Sequence, residues 1–227
     1  MRRTAGLVPW IFLALAGGCV SQPLESGSED SAPEPGPGAP GSPGSAALFV
    51  DYPAGPYGTK KGSVIDNFAF LGWRAPRLAD YDTSALETIR LSDFYNPDGA
   101  KSDVKLLVIN ASAVWCTVCR AEYEHMREQA VYETYRARGV EILGTLFEDR
   151  EGGPSRPADL AAWASSEAHQ VEFPFVLDPG NKLGVFFTSD ATPLNLVIDA
   201  RTMVVVDVVM GYSLDYWQNI DRRLEQL

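Results

Sequence analysis

Two of the three cysteines, Cys116 and Cys119, lie in the run Val114-Trp115-Cys116-Thr117-Val118-Cys119-Arg120-Ala121-Glu122. Their spacing suits thiol–disulfide chemistry. Where a helix opens at such a pair, positions i and i+3 share a face and can be bridged with little backbone movement. The first cysteine then stands at the helix N-terminus, where unpaired N–H groups and the helix dipole stabilise a thiolate. The second lies one turn deeper, better buried, and can attack a mixed disulfide formed by the first. A bridge kept for stability alone is the plainer alternative. It has little to recommend it, because closing a loop of about four residues constrains the unfolded chain by only ~2 kcal/mol in the entropy model. A zinc site is another alternative; zinc takes four ligands, and only His125 and His169 could supplement the pair.

Such a pair needs a strand to deliver it and a helix to hold it, and the flanking sequence offers both. Residues 104–111 (VKLLVINA) form a short continuous apolar run, the pattern of a central strand buried on both faces. Residues 120–138 carry helical spacing through Cys119, Tyr123, Met126 and Ala130, with Gly139 as the stop. Further strands are expected at 140–147 and 173–177, with a helix opening on Pro157 between them and running to about residue 168. A brief helix at 183–187, strands at 194–199 and 202–210 in hairpin spacing, and an amphipathic helix over 214–227 close the chain. Residues up to 103 read as loop and hairpin. The order predicts an α/β fold: a mixed central sheet, parallel early and antiparallel late, flanked by helices.

The chain here resembles the thioredoxin-like superfamily, and within it the TlpA/ResA-like and AhpC/TSA-redoxin thiol–disulfide oxidoreductases, over residues 62–227. Four features carry the resemblance: Trp115-Cys116-x-x-Cys119, the continuation Arg120-Ala121-Glu122, Asn110 six residues before Cys116, and Thr192-Pro193 before a strand. The segment 144–183 looks like the inserted helix and strand that separate this group from minimal thioredoxins. The resemblance implies that Cys116 is the nucleophile and Cys119 the resolving thiol. It further implies that Thr192-Pro193 is a cis-proline turn facing the disulfide, docking the substrate chain through its backbone, and that Trp115 shields the thiolate and shares in docking. Two departures bear on the chemistry. The dipeptide Thr117-Val118 lacks the proline of many relatives, and Asn110 replaces an acid, leaving Glu122 as the carboxylate offered for proton transfer at Cys119.

The first residues resemble a bacterial lipoprotein signal: Arg2-Arg3, an apolar run too short to span a bilayer, then Leu15-Ala16-Gly17-Gly18-Cys19. The expected organisation is a signal peptide at 1–18, a lipidated Cys19, a Pro/Gly/Ser-rich tether at 19–47 and the redox domain at 48–227. Val20 after Cys19 points to the outer membrane, with the domain on the periplasmic side of the envelope. With 30 acids against 19 bases and a net charge of -11, nucleic acid is excluded as a partner. The expected partners are protein dithiols and disulfides and a thiol electron donor, the chain acting as a monomer. No metal and no cofactor beyond the cysteine pair is expected. Two other functions share the fold. A peroxiredoxin-type peroxidase usually carries Pro-x-x-x-Thr/Ser-x-x-Cys, but Ile109 and Ala113 stand at the first two places. A copper-binding lipoprotein would use a cysteine spacing one residue longer, with a distant histidine.

Overall fold

The computed structural model describes residues 51–227; the expected signal peptide, Cys19 and the tether lie outside them. Two runs of buried aliphatic residues make the centre. β3 (Leu106–Ala113) is buried at all eight positions, and β4 (Val140–Glu148) at all but its last. They pair in parallel from Leu106 opposite Val140 to Ser112 opposite Leu146. Each fully buried Leu, Ile or Val removes apolar surface worth ~1.5–3 kcal/mol from water, so these two strands anchor everything else.

The remaining strands are β1 (Ala69–Trp73), β2 (Glu87–Arg90), β5 (Phe175–Leu177), β6 (Leu194–Asp199) and β7 (Val204–Met210). Their order is β2-β1-β5-β4-β3-β6-β7; β4 with β5 is the second parallel pair, and the other pairs are antiparallel. The helices are α1 (Thr117–Glu128), α2 (Val131–Arg136), α3 (Pro157–Ser165) and α4 (Tyr216–Leu224), with a short 3-10 turn at Lys182–Phe186. The mixed α/β fold is therefore as the sequence predicts, and α3 and β5 are the expected inserted helix and strand.

Three details differ. The helix expected over 120–138 opens earlier, at Thr117, and breaks at Gln129–Ala130, where Ala130 adopts a left-handed backbone (φ 47°). Apolar periodicity runs straight into the break and hides it. Gly139 is the stop: its φ is 93°, and a Cβ there would lie 2.6 Å from the Asp103 carbonyl. The helix from Pro157 ends at Ser165, three residues short of expectation, because the chain turns to bring His169 back onto it. Lastly, β1 pairs with β5 as well as β2, so the early hairpin extends the central sheet to seven strands. Gly72 permits this contact, since a Cβ there would collide with the Phe175 carbonyl. Among the described residues no helix is long and apolar enough to cross a membrane.

Candidate functional site

β3 ends at Ala113, and a three-residue turn delivers Cys116 to the N-cap of α1. The turn is pinned from both sides. The Val114 N–H donates to the Glu148 carbonyl at 2.9 Å, and the Arg120 guanidinium donates to the Val114 carbonyl at 2.6 and 3.2 Å. Arg120 also lies over the Trp163 ring, 5.6 Å from its centroid. The arginine after Cys119 thus braces the loop before Cys116.

Cys116 and Cys119 are disulfide-bonded, with Cα atoms 5.3 Å apart. As the N-cap, Cys116 Sγ accepts from the Cys119 N–H at 3.0 Å. In the reduced protein that N–H and the aligned helix dipole favour the thiolate of Cys116. Thr192 Oγ1 donates to the same sulfur at 3.2 Å, and the Thr192–Pro193 peptide bond is cis. Cys119 is fully buried, while Cys116 keeps a sliver of exposure at 3 %. Trp115 and Val118, each a little over 40 % exposed, rim the pair with apolar surface. The Trp115 indole donates to Glu148 Oε2 at 2.7 Å, fixing its orientation.

Behind the disulfide lies a buried polar cluster. Asn110 of β3 and Asn195 of β6 are register partners in the sheet. Glu122, one turn beyond Cys119 on α1, meets both of them. Asn110 Nδ2 donates to Glu122 Oε2 at 2.7 Å and to Asn195 Oδ1 at 3.0 Å, and Asn195 Nδ2 donates to Glu122 Oε1 at 3.0 Å. Ser112 Oγ donates to Asn110 Oδ1 at 2.7 Å. Burial pushes the Glu122 carboxyl up to about 8, against the pull of the Asn195 and Asn110 amides, which favour the ionised form.

The structure thus gathers Trp115, Cys116, Cys119, Thr192 and Pro193 at one surface, with Asn110 and Glu122 beneath it. His125 stands apart, its ring against Tyr212 at 5.9 Å. His169 bonds through Nδ1 to the Trp163 carbonyl at 3.0 Å in the last turn of α3, and burial lowers its pKa, so it serves there as a neutral donor. Four residues of the site have no place in the sequence reading: Asn195, Ser112, Arg120 as a brace, and Glu148. Asn195 left a signal, a lone amide inside the apolar strand LNLVID, mirroring Asn110 in LLVINASA. Buried amides are costly unless bonded, so two in adjacent strands point to a shared partner. Glu148, at the end of β4, left none.

Among curated proteins none matches this chain. Solved structures similar to it share its thioredoxin-like fold. A proposed thiol:disulfide interchange protein, DsbE, from Chlorobium tepidum is 16 % identical with a TM-score of 0.54, covering 74 % of this chain and 98 % of its own. A thiol:disulfide interchange protein from Bacteroides sp. is 15 % identical with a TM-score of 0.50, covering 73 % and 91 %. The reduced 2-Cys peroxiredoxin of Plasmodium vivax is 13 % identical with a TM-score of 0.52, covering 73 % and 82 %. The profile of the AhpC/TSA family matches residues 71–207, more than half of the sequence, and the chain belongs to that family.

Proposed function

We propose that the chain is a thiol–disulfide oxidoreductase that reduces disulfides of protein clients. The observation that carries this reading is the placement of Cys116: its sulfur is the N-cap of α1, bonded to Thr192 beside the cis proline and rimmed by exposed Trp115 and Val118. In the reduced protein the Cys116 thiolate attacks one sulfur of a client disulfide. A Cys116–client disulfide forms, and the other client sulfur leaves as a thiolate that takes a proton from water. Where Glu122 is ionised, a fraction that grows as pH approaches about 8, Cys119 passes its proton to that carboxylate, and the Cys119 thiolate attacks Cys116 Sγ. The mixed disulfide breaks, the second client sulfur leaves and is protonated, and the protein ends in the bridged form seen here. A donor dithiol returns the bridge to two thiols.

Reduction of insulin disulfides tests the assignment. Cys116→Ser is expected to abolish it; retained turnover would sink the reading. Cys119→Ser should instead accumulate a mixed disulfide with the client, visible by non-reducing electrophoresis. Titration of the pair fixes the direction of flow: a potential near thioredoxin's roughly -270 mV marks a reductant, one near -120 mV an oxidant. A peroxidase would consume hydroperoxide at Cys116, and the same protein assayed with hydroperoxide separates the two activities.

The working place of the domain belongs to the same proposal: the periplasmic side of the bacterial envelope, held to a membrane by lipid on Cys19. Residues 1–18 and the small residues before Cys19 support this, and two acyl chains would make a stable anchor. Cys19→Ser should move the protein from the membrane fraction to the soluble one with its redox activity intact.

A further inference from the structure

The two amides under the disulfide do different work. Asn110 sits in the middle of β3, the strand that ends in the Cys116 turn. Asn195 is the second residue of β6, which begins directly after Pro193, and the Pro193 carbonyl is itself held by the Gly211 N–H at 2.7 Å. We propose that Asn195 is a positioning residue that orients Glu122 for proton exchange with Cys119, and so ties the client-docking turn at Thr192–Pro193 to resolution of the mixed disulfide. The inference rests on the oxidoreductase reading above and assigns a role within it to a residue that touches neither thiol nor client.

The geometry supports it in three ways. Glu122 is buried, and both its oxygens accept amide N–H groups, one from each asparagine, so its orientation is fixed by two strands at once. Asn195 is also bonded to Asn110, which closes a ring of three side chains and leaves each amide little freedom to turn away. The chain from the Thr192–Pro193 turn to Glu122 is thus two residues of backbone and one side chain, that of Asn195. The other titratable groups acting on this site are the phenols of Tyr123 on α1, Tyr212 after β7 and Tyr216 on α4; burial holds all three above the ordinary tyrosine range. They stay neutral across the pH range of thiol exchange and do not compete with Glu122 for the role.

The test separates the two chemical steps. The reduced protein, mixed with 5,5′-dithiobis(2-nitrobenzoate), releases one thionitrobenzoate when Cys116 attacks and a second when Cys119 resolves. Rates of both phases are followed against pH for the wild type, Glu122→Gln, Asn195→Ala and Asn195→Ser. Removing the Asn195 donor withdraws a bond that favours the Glu122 carboxylate, so less carboxylate is present at a given pH. The second phase of Asn195→Ala should slow roughly tenfold near neutrality, and its inflection should move about one pH unit to the alkaline side. The first phase should stay near the wild-type rate, and Asn195→Ser, which keeps a hydroxyl donor, should recover part of the loss. Glu122→Gln should lose the inflection altogether. If Glu122→Gln shows that loss while Asn195→Ala follows the wild-type profile, the role of Asn195 is overturned even where its melting temperature falls. If Cys116→Ser retains the first phase, the oxidoreductase reading fails instead. Should Asn195→Ala not fold, the serine variant carries the same comparison.

Discussion

The proposed chemistry concentrates on one sulfur and one carboxyl, and each makes a measurable prediction. Thr192 Oγ1 and the Cys119 N–H are the two donors to Cys116 Sγ. Thr192→Val keeps the side-chain shape and removes one of them, so the thiolate loses a stabilising bond. The thiol pKa of Cys116 should rise by about half to one unit, read from the pH dependence of thiolate absorbance; an unmoved titration would show that the hydroxyl does not act on the thiolate. Glu122 makes the second prediction. Its carboxyl is raised from 4.5 to about 8 in the folded chain by burial. Between those values the folded protein keeps a proton that the unfolded chain has lost. The contribution of Glu122 to stability is then greatest below about 4.5 and is lost as pH rises toward 8, by an amount on the order of a few kcal/mol. Urea unfolding of the oxidised protein should show this slope, and Glu122→Gln should flatten it; equal slopes would mean the carboxyl is not buried and proton-bearing. The sequence exposes this site unevenly. Cys116, Cys119 and Thr192-Pro193 announce themselves by motif, whereas Asn195 and Ser112 become meaningful only when two strands 85 residues apart in the chain bring the amides side by side.

At the scale of elements, legibility follows locality. β3 and the start of α1 are legible because a buried run and a Cys-x-x-Cys are contiguous signals. The β1–β5 pairing is not, because it joins segments that share no local pattern and depends on a close approach at Gly72. The break between α1 and α2 is hidden for the opposite reason. Apolar residues keep helical spacing through Tyr123, Met126 and Ala130, so the pattern runs straight into the break, while the backbone reverses its sense at Ala130, which is exposed. An alanine in the left-handed region pays for its Cβ by about 1–2 kcal/mol, part of which a glycine returns through its greater unfolded entropy. Ala130→Gly should therefore raise stability by ~0.5–1 kcal/mol, measured by chemical denaturation, with the redox rates unchanged because no site residue touches it. A destabilised variant would mean that continuity of the helix, not the break, is the preferred local state.

For the whole molecule, the charge balance predicts which disulfide substrates arrive fastest. The chain carries 30 acidic against 19 basic residues. Glu148 brings that sign to the rim of the site, where it holds Trp115. Arg120, the cation nearest in sequence to the pair, is turned onto the Val114 carbonyl and the Trp163 ring. An acidic surface attracts positively charged encounter partners over about a Debye length, ~10 Å at 0.1 M salt, and repels negative ones. Such steering acts on the rate of encounter and leaves the chemistry at Cys116 untouched. Two disulfide peptides of equal length and sequence apart from lysine or glutamate flanks would separate the effects. At low ionic strength the lysine peptide should be reduced several-fold faster, and its rate should fall as salt is added. The glutamate peptide should speed up as repulsion is screened, and the two rates should converge at high salt. The second, intramolecular phase should not depend on salt for either peptide, since Cys119 and Glu122 are buried. Parallel salt dependences for the two peptides would show that the acidic surplus is a solvating surface with no part in choosing clients.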